Sequence, residues 1–325
     1  MTNRIIYLDV IRIVAILLVV ACHCFGDVSD VSPKLISLLT YIEMPCIGLF
    51  LAISGALVLP VKQSTDSFLK KRLKKIVIPT LFWFLTYLIL GNNLTVNNLI
   101  GGGFHPVGSG ILWFVYTIIG LYLVSPIISP WLERVSQNVL LIYLLIWAVT
   151  LCFPILDNWI NTDRSYAGWT YYLSGYIGYY VLGFYLRKYD IKFTFAGLLY
   201  FVLLCIMIVA KTKFPEIELY SESWYLSIFG ASGVVFYWSF LKYLTKKYIP
   251  CRLNNSIAAI SNLVFGIYFI HIGLVKYITP EIYIGGFSYL SIYLIRVAIT
   301  FFSALLISRL ISLLPFSNYL IGIGA

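Results

Sequence analysis

Long apolar runs separated by short polar clusters set the pattern of this chain. A bilayer-crossing helix needs about 17–25 apolar residues. Read at that length, the sequence gives ten segments, approximately Ile5–Cys24, Leu35–Leu59, Ile76–Leu90, Ile111–Ile128, Val139–Leu156, Trp169–Leu186, Thr194–Ala210, Trp224–Leu241, Ile257–Ile278 and Ser288–Leu314. The third is short and begins near Pro79, and the last is long enough to tilt or to end in an interfacial turn before Pro315. The predicted fold class is all-α, a polytopic integral membrane protein with about ten transmembrane helices. The loops are short and no linker interrupts the pattern, so residues 1–325 read as a single membrane-embedded domain without an extramembrane one.

Composition agrees with the pattern. The 325 residues are 61% hydrophobic and 11% charged, with a mean hydropathy of +0.91, whereas soluble domains carry about 25% charged residues. The net charge of +10 does not point to nucleic acid, because the basic residues follow the segment ends. Sixteen of the 23 Lys and Arg residues fall on the N-terminal side of the alternating segments: Arg4, Lys62, Lys70, Lys71, Arg72, Lys74, Lys75, Arg134, Arg187, Lys188, Lys192, Lys242, Lys246, Lys247, Arg252 and Arg309. By the positive-inside rule both termini are predicted cytoplasmic. The opposite side mixes Lys34, Arg164, Lys211, Lys213 and Lys276 with Asp27, Asp30, Asp157, Asp163, Glu216, Glu218, Glu222 and Glu281. The six cysteines form no CxxC pair and lie mostly in apolar runs, which fits buried soft hydrophobes. Arg12 interrupts the first apolar run, so this segment reads as a span and not as a cleaved signal.

That first segment carries Asp9, Arg12 and His23. An ionisable group near mid-membrane costs about 2.5–3.5 kcal/mol on insertion scales, and such groups mark functional paths. The eleven steps from Arg12 to His23 return to within about 20° of the starting direction and climb about 16 Å. Asp9 lies one turn before Arg12, so the three form a polar stripe. In the predicted topology Glu43, His271 and Arg296 also fall in the outer half of their segments, where five ionisable residues on four spans can converge on one cavity. A neutral imidazole there suits general-base work on a hydroxyl, and a carboxylate such as Glu43 suits its orientation. For each residue a structural role stands beside this one: His271 as a packing residue, Arg296 and Asp9 as an ion pair, Glu43 protonated against a carbonyl.

A second cluster, Phe68-Leu-Lys-Lys-Arg72-Leu-Lys-Lys75, precedes Pro79. It reads either as a topology signal facing anionic lipid or as a dock for a phosphorylated donor. There is no P-loop, no GxGxxG in a strand–helix setting, no HExxH and no metal-ligand spacing, so no metal is expected.

Taken in order, these elements resemble the acyltransferase-3 family of bacterial membrane O-acyltransferases. The resemblance rests on Leu8-Asp9-Val-Ile-Arg12 with His23 ten intervening residues on, and on Phe50-Leu-Ala-Ile-Ser54-Gly55. It continues through Arg72-Leu-Lys-Lys75 before Pro79, Leu112-Trp113-Phe114-Val-Tyr116 with Tyr122 and Pro126, and Ile267-Tyr268-Phe-Ile-His271. It spans essentially the whole chain. Two positions depart from the family pattern. Lys75 replaces an arginine and loses bidentate geometry, and Ile111 stands where many members have a histidine before Leu-Trp.

The resemblance implies transfer of an acetyl or other short acyl group from cytoplasmic acyl-CoA to a hydroxyl of a surface polysaccharide or lipid-linked glycan. The expected setting is the bacterial inner membrane. No cofactor is expected to be bound permanently, acetyl-CoA being a donor substrate, and partners would be acyl-CoA, the glycan, membrane lipid and a second copy in a homo-oligomer. His23, Arg12 and Glu43 would be catalytic; Lys71, Arg72 and Lys75 would hold the donor phosphates. Asp9, Ser54, Trp113, Tyr116, His271 and Arg296 would support or line the cavity. The rival reading from another class is a proton-coupled transporter or flippase of a glycan or small acid, which also uses intramembrane charge. Against it stands the lack of a convincing internal repeat.

Overall fold

The computed structural model describes residues 4–28, 31–104, 110, 112–157, 171–214, 224–278 and 287–322. His105, Ile111 and the opening of the sixth predicted segment at Trp169 lie outside the described residues. The first seven helices are α1 (Ile6–Cys22), α2 (Pro33–Glu43), α3 (Pro45–Val58), α4 (Thr65–Leu90), α5 (Val96–Gly101), α6 (Trp113–Arg134) and α7 (Gln137–Thr150). They are followed by α8 (Phe153–Asp157), α9 (Ile177–Lys188), α10 (Phe193–Lys213), α11 (Ile228–Tyr248), α12 (Asn254–Tyr277), α13 (Tyr289–Ser312) and α14 (Ser317–Ile321). No strand occurs among the described residues.

Each of the ten predicted segments contains a helix. Among the described residues, six stretches are long and apolar enough to cross a membrane: Pro33–Val58, Thr65–Leu90, Trp113–Arg134, Phe193–Lys213, Cys251–Tyr277 and Tyr289–Ser312. The chain is thus an all-helical, multi-pass membrane protein. The differences from the sequence reading have local causes. The second segment is divided at Met44 because Pro45 brings no N–H to the helical ladder and crowds the preceding turn. The third starts earlier than Ile76: α4 runs unbroken from Thr65 through the basic cluster and past Pro79, 26 residues or about 39 Å. The fifth is only 14 residues long, giving way to a turn before α8. The sixth begins at Ile177, just after Gly175 takes a left-handed conformation (φ +84°).

The helices group into two units. One comprises Met1–Cys22, Asp27–Leu59 and Trp131–Ile257; the other comprises His23–Gly26, Pro60–Pro130 and Ala258–Ala325. In the first unit α3 is the hub and packs on α1, α9 and α11. Its contact with α9 is made backbone to backbone. A Cβ added at Gly55 would collide with the Tyr180 carbonyl, and one at Gly183 would collide with that of Ala52. Small residues permit this approach where apolar burial alone gives little preference for helix over lipid. Arg187 at the end of α9 then donates to the Ala56 carbonyl. In the second unit, Trp83 of α4 stacks on Phe269 of α12 at 5.9 Å and donates its Nε1–H to the Leu320 carbonyl of α14 (2.8 Å). Tyr87 donates to the Phe269 carbonyl.

Candidate active site

In the second unit two histidines meet. His23 follows the last turn of α1 and is exposed, whereas His271 on α12 is fully buried. Their ring centroids are 5.2 Å apart with planes tilted by 46°. His271 Nδ1 sits 2.7 Å from the Tyr268 carbonyl and 3.2 Å from that of Ile267, one turn back on its own helix. A carbonyl only accepts, so Nδ1 carries the proton. The other ring nitrogen, Nε2, is then an acceptor; it is buried and has no hydrogen-bond partner among the described residues. A neutral imidazole with one nitrogen pinned and the other holding a lone pair is a proton acceptor of fixed tautomer.

Arg296 of α13 brings a guanidinium to the same segment. It is 8% exposed and lies against Gly26, where any Cβ would overlap its Nη1. Gly26 also has φ +69°, a conformation that side chains other than glycine's resist. Phe25 packs on Tyr293 at 5.5 Å and accepts from the Tyr289 hydroxyl through its carbonyl (2.9 Å). Cys24 Sγ lies 3.8 Å from Thr300 Oγ1. Thus α13 holds the stretch just after His23 at three points.

The donor-binding candidates lie on α4 of this unit. Lys71 and Lys75 are exposed, and Arg72 is half-buried, its guanidinium 5.9 Å from the Tyr122 ring centre. Phe68, one turn earlier, packs edge-on against the same ring at 5.9 Å. Arg72 is thereby held over an aromatic ring, which leaves the guanidinium's N–H edge available for phosphate. Trp113 opens α6 and is half-buried; Tyr116 donates its hydroxyl to the Gly102 carbonyl and so ties down the loop after α5.

The remaining candidates belong to the first unit. Asp9 is 4% exposed and its carboxylate is gripped by Arg4 (2.7 and 3.0 Å) and, more loosely, by Arg12 (3.4 Å). A carboxylate between two guanidiniums is compensated for its burial, and this clamp fixes Arg12 one turn on. Glu43 ends α2 at the Pro45 break and is 1% exposed. Ser54 is half-buried on α3, beside the Gly55 that makes the close crossing with α9.

The sequence reading places His271 in the cavity without its tautomer, although a carbonyl three or four residues back is available to any helical histidine. Gly26 and Thr300 it does not identify. Gly26 next to Asp27 is a plain turn signal, and nothing near it in sequence announces Arg296.

Comparison with family models matches residues 5–313 to the acyltransferase-3 family, described as an acyltransferase domain. Neither characterised proteins nor solved structures gave a significant match.

Proposed function

The chain belongs to the acyltransferase-3 family and is a membrane acyltransferase; from that premise we propose that it moves an acetyl or other short acyl group from acyl-CoA to a glycan hydroxyl at the far face of the membrane. The observation that carries this reading is the His23–His271 pair, with one imidazole accessible and the other locked as a proton acceptor. The ten-segment topology with both termini cytoplasmic belongs to the same proposal. It puts the Lys71–Lys75 cluster on the donor side and His23 near the acceptor side.

The acceptor hydroxyl gives its proton to the His23 imidazole as its oxygen attacks the thioester carbonyl carbon. The tetrahedral oxyanion that forms is stabilised by a guanidinium, the role assigned to Arg12 by the family motif and open also to Arg296 through its place beside Gly26. Collapse breaks the C–S bond, the CoA thiolate leaves and takes the proton from the imidazolium, and the ester remains on the sugar. His271, its Nδ1 tied to a carbonyl, supports the pair by offering a lone pair at Nε2. Lys71, Arg72 and Lys75 hold the CoA phosphates, Arg72 being oriented by Tyr122. Trp113 and Tyr116, in the same unit as the histidine pair, shape its surroundings, Asp9 holds Arg12, and Glu43 keeps the orienting role that the resemblance gives it. In this scheme the donor thioester reaches the site along its flexible arm, and the glycan or lipid-linked sugar comes from the opposite side.

The test is transfer of labelled acetyl from acetyl-CoA into cell-envelope glycan by membranes holding wild type, His23→Ala or Arg72→Ala at matched expression. Incorporation lost with His23→Ala, and weakened chiefly at low donor with Arg72→Ala, is the expected result. Failure of the wild type to incorporate label from any short acyl-CoA across a panel of envelope glycans would overturn it.

A further inference from the structure

A cavity of about 430 Å³ opens in the first unit where α9 gives way to α10 and α11 ends. Three lysines line it, Lys192, Lys242 and Lys246, against one carboxylate, Asp190. Lys242 is engaged by Asp190 and lies 5.2 Å from the Tyr7 ring centre. Lys192 and Lys246 are exposed. The rest of the wall is aromatic: Phe193 stacks on Tyr243 at 4.5 Å, and Trp238, 1% exposed, has a buried indole Nε1 without a hydrogen-bond partner among the described residues. Lys192 is the N-cap of α10 and its side chain makes no capping bond, so the positive end of a 21-residue helix also borders the cavity.

What leaves the cavity along α10 identifies the ligand class. Phe195, Leu198, Val202, Ile206 and Val209 are 66, 66, 47, 50 and 57% exposed. Steps of three, four, four and three residues keep them on one helix face. The opposite face, with Ala196, Gly197, Tyr200 and Met207, is buried. An apolar stripe of this length on a candidate span is covered by acyl chains. It begins three residues after Lys192.

We propose that this cavity is a binding site for an anionic glycerophospholipid, its phosphate on Lys192, Lys246 and the α10 N-terminus and its acyl chains along the Phe195–Val209 stripe. Asp190 tempers the site. Its carboxyl is held below the ordinary carboxylate range by the hydrogen bond from Lys242, so it stays charged at neutral pH and keeps that lysine occupied.

The test is binding of phosphatidylglycerol to the purified full chain in detergent, read by native mass spectrometry against phosphatidylcholine of the same chain length. Wild type should prefer phosphatidylglycerol by about tenfold or more, each basic residue at a membrane surface contributing on the order of 1 kcal/mol. The double variant Lys192→Gln/Lys246→Gln should lose that preference. Both residues are exposed and outside the Lys242 ion pair, so folding is preserved, and Lys192→Arg/Lys246→Arg should restore the preference. Asp190→Asn, which releases Lys242, should strengthen it. Equal binding of the two lipids by wild type, or an unchanged preference in the double glutamine variant, overturns the proposal. So does displacement by glycerol 1-phosphate at the same concentration as phosphatidylglycerol, since that makes the site one for a soluble phosphate.

Discussion

Replacing His271 by glutamine keeps a polar group of similar length near the Tyr268 carbonyl but removes the basic nitrogen. If Nε2 supports proton transfer, acyl transfer falls by about 100-fold, in the range general-base groups contribute, with thermal stability close to wild type. A purely structural His271 gives the reverse, a lowered melting temperature with a near-normal rate per folded molecule. Gly26 makes a different prediction. Alanine there takes on both the cost of a left-handed backbone, about 1–2 kcal/mol, and a collision with the Arg296 guanidinium. Gly26→Ala should lower the melting temperature and activity together. Arg296→Ala in the same background removes the collision, so it should recover stability without recovering activity. The residue scale is also where sequence reading reaches furthest and then stops. Asp9 and Arg12 are neighbours because helices repeat every 3.6 residues, and the salt bridge between them follows from spacing alone. Arg4 joining that bridge needs the chain before α1 to fold back on it, which no periodicity announces.

At the scale of elements, the Ser54-Gly55 pair shows the packing that can lie behind a sequence motif. Its glycine matters because the α3 and α9 backbones touch there, the neighbours being carbonyl groups that cannot rotate away. Gly55→Ala or Gly183→Ala should each cost about 1–3 kcal/mol, the usual range for overpacking. In detergent melts the two together should cost less than their sum, because the first already separates the helices. The existence of helices was legible from apolar run length. Their ends were not. Hydropathy cannot see that α4 extends back to Thr65, since the lysines that end the apolar run are good helix formers. Nor does it register that α11 runs on past Leu241 to Tyr248 through Thr245, Lys246 and Lys247. Prolines act in both ways here: Pro45 divides a predicted segment, while Pro79, Pro126 and Pro130 sit inside continuous helices.

For the whole molecule, the charge distribution makes the decisive forecast. The proposed topology, with both termini cytoplasmic, predicts that alkaline phosphatase fused after Ala325 stays inactive and that a green fluorescent protein at the same point fluoresces; the opposite pair of results would invert the donor and acceptor faces proposed above. The family assignment was legible because its motifs recur in order along the entire chain. That His23 and His271 can share a cavity was legible from their depth in the predicted spans; the ring-to-ring pairing and the Nδ1–carbonyl lock were not, because they depend on how the first segment packs on the ninth. One link reaches further still. Trp83 of α4 is bonded to Leu320, and the Lys75 carbonyl, to which Pro79 four residues on offers no N–H, lies against Gly322. The helix presenting Lys71, Arg72 and Lys75 is therefore braced by residues more than two hundred positions further along the chain. In genetic terms, a frameshift after Phe316 leaves every candidate catalytic and donor-binding codon intact, yet it should behave as a donor-binding allele, with the phenotype of a lesion more than two hundred codons upstream.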